Sequence, residues 1–257
     1  MTLARLKTYF GARELGRMAN PEEFFDFDGS GRNTPVGSSG SAMSVPNTTV
    51  YYAEGHRGND FLFLHLVEPF TSTEQYVDST LQLLQRFDVN RYCLLGAVHN
   101  FVPHTRPLVV TGSAAEERSK KVLAAAGVEV TDYREPATIV PLISRCASQL
   151  GIEAISLIVH LPLYVPLEHD HAGYLRLMQA LRPMYAVPLE ETDVEKAERQ
   201  YRETSMAVEG NPLLEALVKH LEGNYEPRLQ GGQEEVPLTP KLEMFLQEME
   251  RNFEGNT

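Results

Sequence analysis

Short apolar segments alternate with amphipathic segments along the first 160 residues of the chain. Continuous apolar runs, which are typical of buried strands, occupy residues 61–67, 91–98, 107–111 and 155–160. Segments whose apolar residues recur at helical intervals lie between them, at residues 71–87, 113–126 and 136–150. Strands that alternate with helices of this length indicate βαβ units. We therefore predict an α/β fold with a mostly parallel sheet flanked by helices.

The two ends of the chain depart from this alternation. Residues 2–18 have helical spacing, whereas residues 28–48 are rich in glycine, serine, asparagine and proline, as loops are. After residue 170 the pattern is helical, with apolar stripes in residues 172–185, 193–208, 211–222 and 239–253. The sequence predicts one α/β domain over residues 1–225. Residues 226–257 are predicted to form a linker and a last helix that packs on the body or on a partner.

Charge and targeting signals narrow the classes of partner. The chain of 257 residues has 35 acidic and 23 basic side chains, and its formal net charge is −12. Nucleic acids and anionic membranes both favour basic surfaces, so neither is expected as a partner. No signal-peptide pattern and no bilayer-spanning apolar run is present, and the expected compartment is the cytoplasm. Only Cys93 and Cys146 occur, and we expect buried, reduced thiols.

Sequence motifs that bind cofactors or carry out catalysis are absent. The chain has no Gly-Lys-Ser/Thr phosphate loop, no three-glycine dinucleotide motif and no Gly-x-Ser-x-Gly nucleophile turn. His169 and His171 are one residue apart, but no second ligand cluster accompanies them, whereas a structural zinc site needs four ligands. We therefore expect no metal, no cofactor and no catalytic residue.

The most distinctive segment is a polar loop between two apolar runs. It reads Pro103-His104-Thr105-Arg106-Pro107, and each proline pushes the residue before it into an extended conformation. The loop is therefore predicted to be stiff and to present His104 and Arg106 at one edge of the sheet. Two interpretations stay open. Arg106 anchors the loop by bonding carbonyls or a carboxylate such as Glu68, or the loop contacts a ligand or a partner.

A second candidate site follows the next apolar run. Gly112 and Ser113 come after a predicted strand, and Ser113 with Glu116 forms a capping-box pattern that opens a helix. Backbone N–H groups at such a helix start can hold an anion. The alternative is that Ser113 is an ordinary N-cap without a ligand.

Both candidate sites belong to a longer set of segments, in a fixed order over about residues 20–225. They are Phe24-Phe25-Asp26-Phe27, Leu66-Val67-Glu68-Pro69, Leu95-Gly96-Ala97, Pro103-His104-Thr105-Arg106-Pro107, Gly112-Ser113-Ala114, Leu161-Pro162-Leu163-Tyr164 and Leu221-Glu222-Gly223-Asn224-Tyr225. In this order they resemble the proteasome assembly chaperone 2 family. The Pro-His-Thr-Arg-Pro run is the most specific of them.

The resemblance implies a three-layer α/β fold like that of nucleoside phosphorylases, without their chemistry. Eukaryotic members pair with a second chaperone to help order proteasome α-subunits, and archaeal and bacterial relatives tend to form homo-oligomers. Members usually begin with a strand that leads into a Gly-Trp-x-Asp-Ala-Gly turn. This chain has no tryptophan, so we expect that strand to be missing. Its Gly255-Asn256-Thr257 ending also differs from the hydrophobic-Tyr-x ending with which some relatives dock between α-subunits.

Three functional hypotheses follow from these observations. The first is a non-enzymatic assembly-chaperone-like or scaffold protein that acts as a homo-oligomer, with proteasome-related subunits as candidate partners. The second is a protein that binds or converts a nucleoside- or phosphate-type ligand, using the loop from His99 to Arg106 and the helix start at Gly112 and Ser113. The third is an interaction module whose acidic helical tail docks on another chain along the stripe at residues 242–253.

Overall fold

The structure of the protein is a computed structural model that describes residues 1–25, 47–55, 59–131, 139–165, 167–225, 240 and 244. In chain order the elements are α1 (Thr2–Tyr9), β1 (Arg13–Arg17), β2 (Thr49–Ala53), β3 (Phe61–His65), α2 (Thr73–Arg86), β4 (Arg91–Asn100), β5 (Val110–Ala114), α3 (Glu117–Ala125), β6 (Glu129–Val130), α4 (Ile139–Gln149), β7 (Glu153–Pro162), α5 (His171–Tyr185), α6 (Glu191–Glu209) and α7 (Pro212–Gly223). They divide into two units, Met1–Leu94 with Tyr133–Ile155, and Leu95–Asp132 with Ser156–Thr257.

Parts of the predicted domain organisation concern residues that the structure does not describe. Most of the predicted loop at 28–48 and nearly all of the predicted linker and helix at 226–257 lie outside the described residues. The division into a domain over residues 1–225 and a C-terminal tail therefore stays a prediction. Family members usually begin with a strand, and the expectation that this chain lacks that strand also stays a prediction.

In the first unit a three-stranded antiparallel sheet has the order β1-β2-β3. The α1 helix packs against β3, and just beyond that helix the ring centroids of Phe10 and Phe61 are 4.4 Å apart. The α2 and α4 helices pack against each other. Tyr76 and Leu84 of α2 and Ile143 of α4 are fully buried. An amphipathic face on each helix therefore supplies much of the core of this unit.

The predicted helix over residues 2–18 is wrong beyond Tyr9. Gly11 has a φ angle of +62°, and this left-handed conformation cannot continue an α-helix. The chain then forms β1, in which every residue is exposed. Because neither face of β1 is buried, its sequence has no alternation of apolar and polar residues from which a strand could be predicted.

The prediction of a mostly parallel sheet is also wrong. The first sheet is antiparallel, and the second, with the order β4-β7-β5-β6, is mixed. In the second sheet β5 and β6 are parallel, whereas the bonds Thr111–His160 and Ser113–Ser156 join β5 and β7 in opposite directions. Only seven residues separate β2 from β3, and parallel neighbours need a longer crossover. The broader prediction of a mixed α/β chain that becomes helical towards its C-terminus is confirmed.

Three helices follow the mixed sheet in the second unit. They match the predicted segments 172–185, 193–208 and 211–222 closely, whereas the predicted segment 239–253 lies outside the described residues, apart from residues 240 and 244. The Asn211 side chain accepts hydrogen bonds from the N–H groups of Leu213 and Leu214 and caps α7. Leu217, Val218 and Leu221 of this helix are buried in a cluster with Tyr164 and Val208.

Two further expectations concern membranes and thiols. Within the described ranges, none of the helices combines the length and the apolar character that crossing a bilayer requires. Neither Cys93 nor Cys146 is part of a disulfide among the described residues, and both are half-buried rather than buried as predicted. Cys93 lies on β4, which is an edge strand of its sheet, and an edge strand has a neighbour on one side only.

Candidate functional site

The candidate site is built around His104, in the loop between β4 and β5. The Tyr164 hydroxyl oxygen accepts a hydrogen bond from the His104 backbone N–H at 2.8 Å and lies 2.8 Å from the ring atom Nδ1. Burial raises the pKa of Tyr164 well above its ordinary value, so the hydroxyl keeps its proton and donates it to Nδ1. The ring proton of His104 is then on Nε2, which donates to Ser205 Oγ at 3.2 Å.

The next residues of the loop bond to the C-terminal end of α7 and the residues just after it. Thr105 Oγ1 donates to Glu222 Oε1 at 2.5 Å, and the Tyr225 hydroxyl donates to the Pro107 carbonyl at 2.6 Å. Hydrogen bonds to charged groups stabilise more than neutral ones, by about 1.5–3 kcal/mol. Three separate segments of the family resemblance, around residues 104, 164 and 222, therefore meet in one network.

Arg176 of α5 fixes the end of the same loop. Its Nε atom donates to the Leu108 carbonyl at 3.0 Å, and its Nη2 atom donates to the Gly127 carbonyl at 2.6 Å. Burial lowers the pKa of this guanidinium, although an arginine remains charged at physiological pH. The sequence offered no signal for this role, because the acceptors are backbone carbonyls far away along the chain.

The remaining predicted residues of the first candidate site have different environments. Pro103 is buried, whereas Arg106 is exposed and forms no ion pair or hydrogen bond within the described part of the chain. Among the described residues its neighbours anchor the loop, and the interpretation of Arg106 as the anchor stays a prediction. Glu68 belongs to the first unit, where its carboxylate accepts from the Ile139 N–H at 3.1 and 3.2 Å, at the start of α4.

Gly112 and Ser113 do not lie at a helix start, which corrects the second candidate site. Both are inside β5, and α3 begins only at Glu117 with Glu116 as its N-cap. The Ser113 N–H donates to Ser156 Oγ at 3.1 Å, and the two hydroxyl oxygens are 2.8 Å apart. The capping-box pattern misled the prediction because the strand continues through Ser113. The predicted anion site therefore has no helix N-terminus to support it.

A polar row that sequence reasoning missed crosses the mixed sheet. On β7, the Nδ1 atom of His160 is 2.9 Å from Asn100 Nδ2, and its Nε2 atom is 2.9 Å from Thr111 Oγ1. Because Asn100 Oδ1 already accepts from the Phe101 N–H, its amide nitrogen faces His160 and donates to Nδ1. Nε2 of His160 therefore carries a proton and donates to Thr111.

This row resembles a catalytic triad in composition but not in proton placement. A general base must accept the proton of the nucleophile, so its facing nitrogen has to be unprotonated. In this arrangement His160 presents N–H to Thr111, and the threonine hydroxyl is not activated. His99, which belonged to the alternative ligand loop, is exposed on β4. The described ranges also contain no group of three or more side chains suited to a metal ion.

The protonation of His104 gives the stability of the second unit a pH dependence. Burial lowers the pKa of His104 below its ordinary value of about 6.5, against a smaller opposing effect of the Glu222 carboxylate. The unfolded chain therefore binds a proton at pH values where the folded chain does not. The contribution of His104 to stability is complete above pH 6.5 and is lost as the pH falls from there through the folded pKa.

We expect the temperature of the unfolding midpoint to decrease when the pH is lowered from 7.5 to 5.5. The decrease should be smaller in His104→Asn. The asparagine Oδ1 atom can occupy the position of Nδ1 and accept from Tyr164, but it does not titrate. Circular dichroism at both pH values measures the difference, and His99→Gln serves as the exposed control. An unchanged pH dependence in His104→Asn would show that another group is responsible.

Comparison with known proteins identifies a family match and several solved structures with a similar fold. The model of the PAC2 family matches residues 4–208 of the chain. None of the curated proteins compared with the chain matches it. Among solved structures, a PAC2 family protein from Streptomyces avermitilis is 21% identical, with a TM-score of 0.69 over 84% of this chain and 91% of its own.

Two further structures have related folds. Rv2125, a proteasome-assembly chaperone homologue from Mycobacterium tuberculosis, is 21% identical, with a TM-score of 0.70 over 84% of this chain and 92% of its own. PbaB, an archaeal proteasome activator from Pyrococcus furiosus, is 14% identical, with a TM-score of 0.60 over 80% of this chain and 86% of its own. At these identities the structures show a common fold.

Proposed function

The chain belongs to the PAC2 family, and on that premise we propose that it is a non-enzymatic assembly-chaperone-like or scaffold protein that acts as a homo-oligomer. The proposal includes the three-layer, nucleoside-phosphorylase-like arrangement that the family resemblance implies, without phosphorylase chemistry. Its proposed partners are further copies of itself and proteasome-related subunits, in the cytoplasm.

The observation that carries this proposal is how the side chains of His104 and Thr105, in the Pro-His-Thr-Arg-Pro loop, are engaged. His104 bonds to Tyr164 and Ser205, and Thr105 bonds to Glu222. Groups held in this way stabilise a particular shape of the second unit. A loop used in shaping a surface suits a protein that acts by binding other proteins.

The similar structures support the choice of partners. One is a proteasome-assembly chaperone homologue and another is an archaeal proteasome activator. We extend this role to the present chain as a proposal, because a shared fold alone does not fix function. The strongly acidic composition, with a net charge of −12, favours a partner surface with basic residues.

The proposal is tested by the mass of the protein in solution and by what it binds in its host. We expect light scattering after gel filtration to give a multiple of 28.8 kDa. Affinity purification of the tagged full chain at low salt should enrich proteasome α-type subunits or a second chaperone-like chain over a tag-only control. A monomer at all concentrations, with no protein enriched over the control, would contradict the proposal.

A further inference from the structure

A cavity of about 220 Å³ lies beside the His104 loop, entirely within the second unit. Its wall is formed by the loop, by the residues after β7 and by α5 and α6. The apolar part of the wall includes Pro107, Leu108, Pro162, Val165 and Leu175. Tyr201 and Thr204 of α6 add hydroxyl groups to the polar part. A concave apolar surface with a few polar groups is the usual form of a small-ligand site.

Arg106 supplies the cavity with a cation that no described carboxylate neutralises. It lines the cavity and is exposed, and no carboxylate pairs with it within the described part of the chain. The other charged groups of the wall already have partners. Arg176 donates to the carbonyls of Leu108 and Gly127, and Asp170 accepts from the Gly173 N–H.

The charge of the lining favours an anion with a single charge. Two arginines and one aspartate line the cavity, and their formal charges sum to +1. A carboxylate neutralises this charge, and its two oxygens match the fork of a guanidinium. A phosphate dianion would leave one negative charge near the Asp170 carboxylate, which disfavours it.

We infer that this cavity binds a carboxylate group with a short aliphatic body, and that Arg106 is its ion-pair partner. The apolar wall contacts the aliphatic part, and the guanidinium of Arg106 holds the carboxylate at the open side. The volume of about 220 Å³ is below the roughly 300–1,000 Å³ of pockets for drug-sized ligands, which favours a small ligand. This inference concerns a ligand and does not depend on the proposed assembly role.

The carboxylate can come from a free small acid or from the end of a polypeptide. Isothermal titration calorimetry of the full chain with glutarate tests the first source. The peptide acetyl-Ala-Leu, with a free C-terminus or with an amidated one, tests the second. Binding of glutarate alone identifies a small-molecule site. Binding of the free peptide but not of the amide identifies a site for a C-terminal carboxylate. Each of these results supports the inference.

Three variants of the full chain separate the cavity from general surface charge. We expect Arg106→Gln to weaken saturable binding at least about tenfold, because an ion pair with two hydrogen bonds is lost. Arg118→Gln removes an exposed arginine of the same unit that does not line the cavity, and it should bind as the wild type does. Thr204→Phe fills the cavity but keeps Arg106, and it should also lose binding. Thermal unfolding without ligand checks that each variant is folded.

Several results would overturn the inference. One is that neither glutarate nor the free peptide binds saturably to the wild type. Another is that Arg106→Gln binds as tightly as Arg118→Gln, which would place the carboxylate elsewhere. Unchanged binding in a folded Thr204→Phe variant would exclude the cavity. Inorganic phosphate that binds as tightly as the carboxylates would show a general anion site instead.

Discussion

Replacement of Tyr164 by alanine is expected to lower the free energy of unfolding of the second unit by about 3–5 kcal/mol. The ring is only 5% exposed and packs with Leu217, Val218 and Leu221 of α7. Its hydroxyl also satisfies both the backbone N–H and the Nδ1 atom of His104. The substitution therefore opens a space in the core and leaves two polar atoms of the loop without their partner.

Chemical denaturation of three variants measures this effect and divides it. Tyr164→Phe keeps the ring and removes only the hydroxyl, so a loss of about 1–3 kcal/mol is expected. Tyr201→Ala is the control, since its ring centroid also lies near that of His104, at 5.7 Å, but its residue is 45% exposed. It should cost less than about 1 kcal/mol. Equal losses in Tyr164→Ala and Tyr201→Ala would contradict the role of Tyr164.

The second large effect is expected from Gly112→Ala, which should destabilise the second unit by about 1–3 kcal/mol. A Cβ atom on Gly112 would lie 2.6 Å from the Ser156 carbonyl oxygen and 2.8 Å from Val128 Cγ1. The first of these atoms belongs to the backbone of β7, which flanks β5 in the sheet. The strands would have to separate to accept the methyl group, because neither neighbour is the flexible end of a long side chain.

Gly16→Ala provides the matched control for this substitution. Gly16 is also in a strand, but a Cβ atom there would have no neighbour within 4 Å. Alanine is expected to leave stability there unchanged or slightly higher, because it restricts the unfolded chain. Denaturant titrations of both variants give the comparison. If Gly112→Ala were as stable as Gly16→Ala, the close approach of β5 and β7 at this glycine would be wrong.

Elements with a buried face were predictable from the sequence, and elements without one were not. The helices α2, α5 and α7 have apolar residues at helical spacing, and the structure places them within a few residues of the predicted ranges. In contrast β1 is exposed throughout and was predicted as helix. Strand direction was also beyond the sequence pattern, since an apolar run reads the same for a parallel and an antiparallel strand.

The sequence identifies several residues of the candidate site, but it does not predict their hydrogen-bond partners. His104, Thr105 and Pro107 belonged to a recognisable motif, and the structure joins each of them to the chain after residue 160. Ser205 carried no signal, because a serine in an amphipathic helix is ordinary. Gly112 and Ser113 were misassigned, since a capping-box pattern is local and the end of a strand depends on distant partners.

The hydrogen bonds of the His104 loop also determine when this part of the chain can fold during translation. Thr105 is separated from Glu222 by 117 residues, and Tyr225 is separated from Pro107 by 118. At roughly 5–20 residues per second, a ribosome needs roughly 6–24 s to cover this distance. For that interval the loop of the nascent chain has been made but its partners have not. The second unit therefore closes late in translation, and until then the surface that later receives α7 is open to chaperones of the host.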